Sequence, residues 1–415
     1  MNGKWKKVMA GIMTPAMLLS AGFPVNVFAS EETAATSFLE MLQQNYGEPA
    51  QQYKTEARWW LPEGSHTDET IIEEITAMHD QGFTGFELCM LDEAGSDDSI
   101  YAYGSESWSH DVKVAIETAT SFGMSVGLTS GTHWQCANIP GLDPNSEAAG
   151  QEAGWSMTRV TAGESISGAL TKPKVREGRE GEVAQTLIGV YAYKIDHDGI
   201  GGQDEGPSQQ DPTILNQSSM IDLSDQVTVN DDNEWLLDWT APDDGDYMLY
   251  VLCQQGTFEA CDPAQTTSYA INYYNEAGVD ALKDFIKNNI LSDPELVEAV
   301  KNGNVQFFLD SLEIDNSDGT RSMYWTKDMK EEFLARKGYD ISPYLPLFIG
   351  INVGSCFTGI IPGDTVNTEK TGPYVLGSGE EENTELTWQI MNDFYDVQTQ
   401  LIQEKMITPL KEWAH

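Results

Sequence analysis

The alternation of short apolar runs with amphipathic stretches between residues 54 and 129 constrains this chain more than any other feature. Apolar runs at 59–61, 83–91 and 124–129 are separated by amphipathic stretches at 68–81 and 108–122. In the first stretch Ile71, Ile72, Ile75 and Met78 recur at three- and four-residue spacing, Thr67 or Asp68 can cap its start, and Gly82 ends it. Val112, Ala115, Ile116 and Ala119 form the same stripe in the second, which Gly123 ends. The pattern predicts β-α-β-α-β, with parallel strands and helices outside.

Between residues 154 and 261 the rhythm changes to alternating apolar and polar runs, at 186–195, 226–229, 235–239 and 247–253, broken by Gly, Asp and Pro. That predicts an inserted antiparallel β domain. The β/α rhythm then resumes, with strands expected at 269–273 and 305–314 and helices at 279–290, 327–336 and 384–413. The fold class expected is α/β, a (β/α)8 TIM-type barrel divided as a first barrel part (30–153), the β-rich insertion (154–265) and a continuation (266–415). About five barrel strands are countable where closure needs eight. The expected barrel is therefore truncated at its C-terminus, where the chain ends at Trp413-Ala414-His415. An open sheet or a smaller complete domain is the alternative.

Residues 1–29 read as a secretory signal peptide. Lys4, Lys6 and Lys7 precede an apolar run, and Val27-Phe28-Ala29 offers small residues at a cleavage site near Ala29. The run is too short and too interrupted, by Pro15 and Pro24, for a spanning helix, although a retained anchor is the competing reading. Secretion is therefore expected, with no membrane contact after cleavage. The chain carries 66 Asp or Glu against 23 Lys or Arg, a net charge of −43. A field of that sign repels nucleic acid and anionic membranes. The five cysteines have no zinc-like spacing. In an oxidising compartment Cys253 and Cys261, flanking an expected turn at 254–256, could bridge, and Cys89 and Cys136 each follow a predicted barrel strand, leaving Cys356 over.

The most informative run is Val305-Gln306-Phe307-Phe308-Leu309-Asp310-Ser311-Leu312-Glu313, an apolar strand whose C-terminal end carries two carboxylates. Strand C-termini form the active-site face of a barrel. Side chains alternate along a strand, so in a regular strand Asp310 and Glu313 point to opposite sides. A half-buried glutamate there has its charged form disfavoured, which is how a carboxyl is kept protonated for general-acid work. A structural carboxylate holding the loop 315–319 explains either residue equally well. Trp59, Trp60 and Glu63 mark the first strand end, Glu87 lies on the second strand, and His133 and Trp134 follow the third. Together these residues are expected to line one mouth. Aromatic rings with carboxylates suit a sugar, whose C–H faces stack while its hydroxyls are hydrogen-bonded.

Several runs resemble glycoside hydrolase family 106, the α-L-rhamnosidases. They are Glu56-Ala57-Arg58-Trp59-Trp60-Leu61-Pro62, Gly82-Phe83-Thr84-Gly85-Phe86-Glu87, Ser130-Gly131-Thr132-His133-Trp134 and Phe308-Leu309-Asp310-Ser311-Leu312-Glu313. Arg336-Lys337-Gly338-Tyr339-Asp340 and Pro343-Tyr344-Leu345-Pro346 complete the set, in the family's order, over roughly residues 54 to 350. The resemblance implies an inverting, exo-acting hydrolase of terminal α-L-rhamnose on plant polysaccharides or glycosides, assisted by Ca2+, for which Asp310 or Glu87 would supply oxygens. It implies Glu313 as a catalytic carboxyl, favoured as the general acid. The second carboxylate that inversion requires is expected beyond the barrel strands present here. The turn at 130–134 differs by one residue from the family's Ser-Gly-Trp form, so His133 takes no role from the resemblance. Two further readings stand beside the enzyme: a secreted carbohydrate-binding protein that does not cleave, and an inactive fragment lacking the second carboxylate.

Overall fold

The computed structural model describes residues 31–47, 49–50, 53–62, 66–91, 97–132, 137–199, 211–260, 267–309, 322–348 and 374–414. The helix α1 (Glu31–Gly47) and the chain to Lys54 form one compact unit, and Thr55 to His415 another. The expected signal segment lies outside the described residues.

The second unit runs β1 (Glu56–Pro62), α2 (Asp68–Asp80), β2 (Gly85–Leu91), α3 (Asp98–Tyr101), α4 (Glu106–Ser121) and β3 (Ser125–Thr129). There follow β4 (Asn138–Pro140), β5 (Gln151–Val160), β6 (Ser165–Ala169), β7 (Gln185–His197), β8 (Thr213–Asn216), β9 (Ile221–Asp222), β10 (Thr228–Val229), β11 (Trp235–Thr240), β12 (Tyr247–Gly256) and β13 (Ser268–Ala270). The last part comprises α5 (Glu276–Phe285), α6 (Pro294–Asn302), β14 (Asn304–Phe308), β15 (Ser322–Trp325), α7 (Met329–Lys337), β16 (Tyr374–Ser378), β17 (Glu381–Glu382), α8 (Thr384–Leu401) and α9 (Thr408–Ala414).

The β-α-β-α-β expectation appears as a parallel sheet in the order β1-β2-β3-β14. Thr67 caps α2, its hydroxyl accepting from the Thr70 N–H, and Gly82 leaves the helix at φ +91°. Ile71 and Ile75 are buried, as are Val112, Ala115, Ile116 and Ala119 of α4, while Ile72 is turned to solvent. These stripes pack on Trp59, Leu61, Phe86, Leu88, Val126 and Leu128, the outward-facing half of each strand. The sheet has four strands among the described residues, not the five expected. The run at 269–273 does not join it, because β13 pairs antiparallel with β4. Nor is the described part of the run from 305 deeply buried: among the described residues β14 is the last strand of the sheet, and its residues are exposed or half-buried.

The antiparallel strands build a second lobe. Its large sheet has the path β15-β5-β12-β7-β8-β16-β17, with β9 on β7, and a small sheet β10-β11-β6 accompanies it. The large sheet is mixed, since β16 lies parallel to β8. One face packs on the small sheet through Val190, Trp235, Leu237, Leu249 and Val251. The other packs on α7 and α8 through Trp155, Tyr193, Tyr250, Phe333 and Phe394. Strands β15 and β16 come from beyond residue 266, so later chain completes the sheet begun at Gln151.

The expected turn at 254–256 is instead the last part of β12, because Gln254, Gln255 and Gly256 continue the ladder with β5. Cys253 is a buried free thiol there, donating to Gln255 Oε1 at 3.4 Å. Burial pushes its pKa well up, and the nearby Glu152 charge adds to this. Cys136, Cys261 and Cys356 lie outside the described residues.

The C-terminal helix joins the lobes. α8 places Leu401 in the second-lobe core, a π-helical stretch follows at Ile402–Ile407, and Met406 and Leu410 then lie in the first-lobe core. Ile402 packs against both. Wider π turns rotate the apolar stripe relative to an α-helix, so one continuous helix serves two cores. Phe394 anchors it, fully buried beside Trp325, Phe333 and Phe348. Phe394→Ala should cost about 3–5 kcal/mol, read as a lower urea midpoint with loss of cooperativity between the lobes. A change below about 1 kcal/mol would show that this contact does not hold the lobes together.

Candidate active site

Strand alternation sorts β1 into two sets. Ala57, Trp59 and Leu61 face the helices, and Glu56, Arg58 and Trp60 face the other way. In parallel register Arg58 stands beside Glu87, Glu87 beside Gly127, and Gly127 beside Gln306, while Thr129 stands beside Phe308. The inner face of the sheet is therefore polar. A cavity of about 330 Å³ opens on it, lined by Glu56, Arg58, Glu87, Gly127, Gln306 and Phe308 among others. Gly127 helps to keep it open, since it places no side chain on the inner face between Glu87 and Gln306.

Arg58 organises this face. Its Nε donates to Glu87 Oε2 at 2.7 Å, and its guanidinium lies 5.7 Å from the Trp60 ring and 6.0 Å from the Phe308 ring. Both rings are within cation–π range. The pair is asymmetric in burial: the Arg58 side chain is 44% exposed and that of Glu87 11%. A carboxylate inside a strand is costly without a partner, and the guanidinium one strand away meets that cost. Alongside, Ser125 Oγ donates to Glu56 Oε1 at 2.5 Å.

The structure separates the two tryptophans that the sequence grouped. Trp60 is 45% exposed on the polar face, whereas Trp59 is buried on the opposite one, edge-on to Phe86, with its Nε1 donating to Glu74 Oε2 at 2.8 Å. Trp59 thus belongs to the helix-packed core and does not line the cavity. Neighbours in a strand cannot share a face, which is the reason. Glu87 and Trp60 are brought together around Arg58. Glu63, His133, Trp134, Asp310 and Glu313 lie outside the described residues.

The segments flanking those positions are tied at one end of the sheet. The Ser130 N–H donates to the Phe308 carbonyl at 3.1 Å, joining the end of β3 to the end of β14. Asn138 Nδ2 donates to the Thr132 carbonyl at 3.1 Å, and a Cβ on Gly131 would stand 2.5 Å from that Nδ2, so a larger residue there would push the Asn138 amide aside. Chain neighbours of His133 and of Asp310 therefore leave the sheet side by side. Glu56, Arg58, Gln306 and Phe308 are among the cavity residues that the sequence reading did not select. The i, i+2, i+4 spacing of Glu56, Arg58 and Trp60 was the available signal.

A calcium ion needs several hard oxygens. Among the described residues no group of three or more His, Cys, Asp or Glu could hold a metal ion, and Glu87 directs an oxygen at a guanidinium.

A parallel sheet under helices, with a polar, aromatic-walled cavity on its other face, is an arrangement in which a small polar ligand can bind. The family model of glycoside hydrolase family 106, alpha-L-rhamnosidase, matches residues 47–198 and 198–358, well over half of the chain, and the protein belongs to that family. Its fold is similar to that of the rhamnosidase from Novosphingobium sp. PP1Y, with a TM-score of 0.58 at 15% identity. The similarity covers 90% of this chain and 46% of that one, so the chain spans less than half of that relative's length. None of the curated proteins matches it by sequence.

Arg58→Ala should destabilise the fold by about 1–2 kcal/mol, the low part of the range for stranding a buried acceptor, because Arg58 is itself half exposed. Glu87→Gln should cost less, and the double variant less than the sum. Additive losses in urea unfolding would show that the pair is not coupled.

Proposed function

We propose that the protein is a secreted hydrolase that removes terminal α-L-rhamnose from plant polysaccharides or glycosides with inversion at the anomeric carbon, and that its parallel sheet is part of a (β/α)8 barrel. The observation that carries this reading is the polar cavity around Arg58, Glu87 and Phe308 in a chain of family 106. Its volume is at the lower end of small-molecule pockets, which suits one sugar ring. Trp60 and Phe308 offer apolar faces for the ring's C–H groups, and Glu87 and Gln306 offer acceptors for its hydroxyls. The fourth strand ends five residues before Glu313 in the sequence, and the C-terminal ends of such strands are where βα enzymes place their chemistry.

Glu313 is the proposed general acid, protonating the leaving oxygen as the glycosidic bond breaks. A second carboxylate would take a proton from water on the far face of the sugar, 6.5–9.5 Å away in inverting enzymes generally. Secretion is supported by the lysines and apolar run before Ala29, and by the acidic balance of the chain. Among the described residues no helix is long and apolar enough to cross a membrane. Calcium assistance is proposed through Asp310 and the acidic stretch after it, which contains Asp315 and Asp318.

Glu313→Gln should lower turnover of a rhamnoside with a poor leaving group by about 10²–10⁴-fold, with an unchanged melting curve. NMR of the first product formed should show the inverted anomer. Near-normal hydrolysis by the variant removes Glu313 from the mechanism, and a retained anomer removes inversion. For calcium the expected result is loss of activity with a chelator and recovery on adding the ion; indifference to both rejects its role.

A further inference from the structure

At the end of β7 the chain reads Asp196-His197-Asp198, and the middle residue is held from both sides of its ring. His197 Nε2 stands 2.8 Å from Asp211 Oδ1, and Nδ1 stands 2.9 Å from Glu380 Oε2. Asp211 lies two residues before β8, and Glu380 lies in the turn between β16 and β17. One imidazole thus bridges two segments that are far apart in the chain.

An ionised carboxylate only accepts hydrogen bonds, so each of these contacts needs an N–H on the ring. A neutral imidazole has a single N–H and would turn a lone pair towards the other carboxylate. The imidazolium alone satisfies both partners. The bond to Asp211 and the Glu380 charge push the His197 pKa above its ordinary value, against the opposing effect of partial burial. The two carboxylates stand on opposite ring nitrogens and do not converge on one point, and among the described residues no group of three or more His, Cys, Asp or Glu could hold a metal ion. The arrangement suits a proton.

The neighbouring charges are arranged around this bridge. Asp198 is paired with Arg159 Nη1 of β5 at 2.5 Å, and the same guanidinium holds Asp246. Lys194, the lysine of β7, is paired with Asp244. Asp196 accepts from two neutral donors, Asn216 Nδ2 at 2.8 Å and the Gly379 N–H at 2.7 Å. Glu381 and Glu382 follow Glu380 on the hairpin and add negative charge near the ring.

The hairpin matters because α8 starts from it. The Asn383 N–H donates to the Leu376 carbonyl at 2.7 Å, its Oδ1 caps α8 by accepting from the Leu386 N–H at 3.1 Å, and its Nδ2 donates to Gln217 Oε1 at 2.9 Å. Further along, α8 places Phe394 in the second-lobe core and leads through the π-helical stretch to the first.

We propose that His197 is a proton-operated clasp: as imidazolium it holds the β16–β17 hairpin, and with it the start of α8, against the end of β7, and on losing a proton it releases Glu380. Asp211 keeps the remaining N–H, because its side chain is 32% exposed against 79% for Glu380. The folded-state pKa is raised, so the anchoring is complete below the unfolded histidine value of about 6.5 and is lost as pH rises through the folded value. Partly exposed ion pairs contribute little to global stability. The clasp therefore acts on local opening of the hairpin.

The test follows the full chain by hydrogen exchange and by NMR of the histidine ring protons. After correction for the intrinsic pH dependence of exchange, the amides of residues 374–386 should open about twofold to tenfold more at about pH 8.5 than at about pH 6, the scale of one or two partly exposed ion pairs. The His197 ring should titrate above about 6.5. H197Q, which takes no charge, should open at both pH values as the unsubstituted chain does at the higher one. E380Q should lower the His197 titration and weaken the pH dependence, and D211N should lower the titration further, since its bond is the larger cause. A ring that titrates at or below the ordinary value, opening that does not change with pH, or a pH dependence that persists in H197Q overturns the proposal. If H197Q does not fold, E380Q, at an exposed position, carries the same comparison. No hydrolysis is read, so the outcome is independent of the function proposed above.

Discussion

Burial of one face of the parallel sheet under α2 and α4 underlies everything else in the first lobe. Ile71, Ile75, Val112 and Ile116 close over Phe86, Leu88 and Val126 and remove them from water almost completely. Because strand side chains alternate, this packing also decides what the opposite face receives. Glu56, Arg58, Trp60 and Glu87 are on the open face because their chain neighbours are committed to the core. A register slip of one residue would exchange the two sets, placing an arginine and a glutamate against the helices. The cavity's chemistry is therefore held in place by hydrophobic burial on the side away from it.

The second lobe constrains the first through continuous chain and shared helices. The large sheet draws β15 and β16 from later sequence, and α8 covers them before its π-helical continuation enters the first-lobe core. Trp413 then meets Phe307 edge-on, on the outer face of β14. The strand leading to Glu313 is thus packed from outside by the C-terminal helix, while β15 beyond it is packed by α8 through Trp325 and Phe394.

Few carboxylates are buried among the described residues, and three of them show how a polar partner is found. Glu87 meets Arg58, Glu152 meets Gln255, and Glu259 meets Tyr324. With 66 acidic residues in the chain most carboxylates are necessarily on the surface. Those few that are buried stand out, because each must obtain from the protein the hydrogen bonds that water would have supplied. Arg58 and Tyr324 show two ways this is met, by a cation on the next strand or by a buried phenol.

Much of the first lobe was legible because its signals are local. The apolar stripe of α4, the Thr67 cap and the glycines at 82 and 123 are properties of a few consecutive residues, and strand-helix alternation follows from them. Alternation along β1 could also have separated Trp59 from Trp60, since it is a property of the strand itself. The sequence alone could not show that 269–273 pairs with β4 and not with the parallel sheet, nor that Gln254 to Gly256 extend a strand and not a turn. Both depend on which distant backbone offers free N–H and C=O groups. Local periodicity thus determined the helices, the strands and the family motifs of this protein. Tertiary structure alone decided that Arg58 would meet Glu87, that Glu259 would meet Tyr324 and that one helix would serve two cores, because those contacts join residues far apart in the chain whose approach is set by packing.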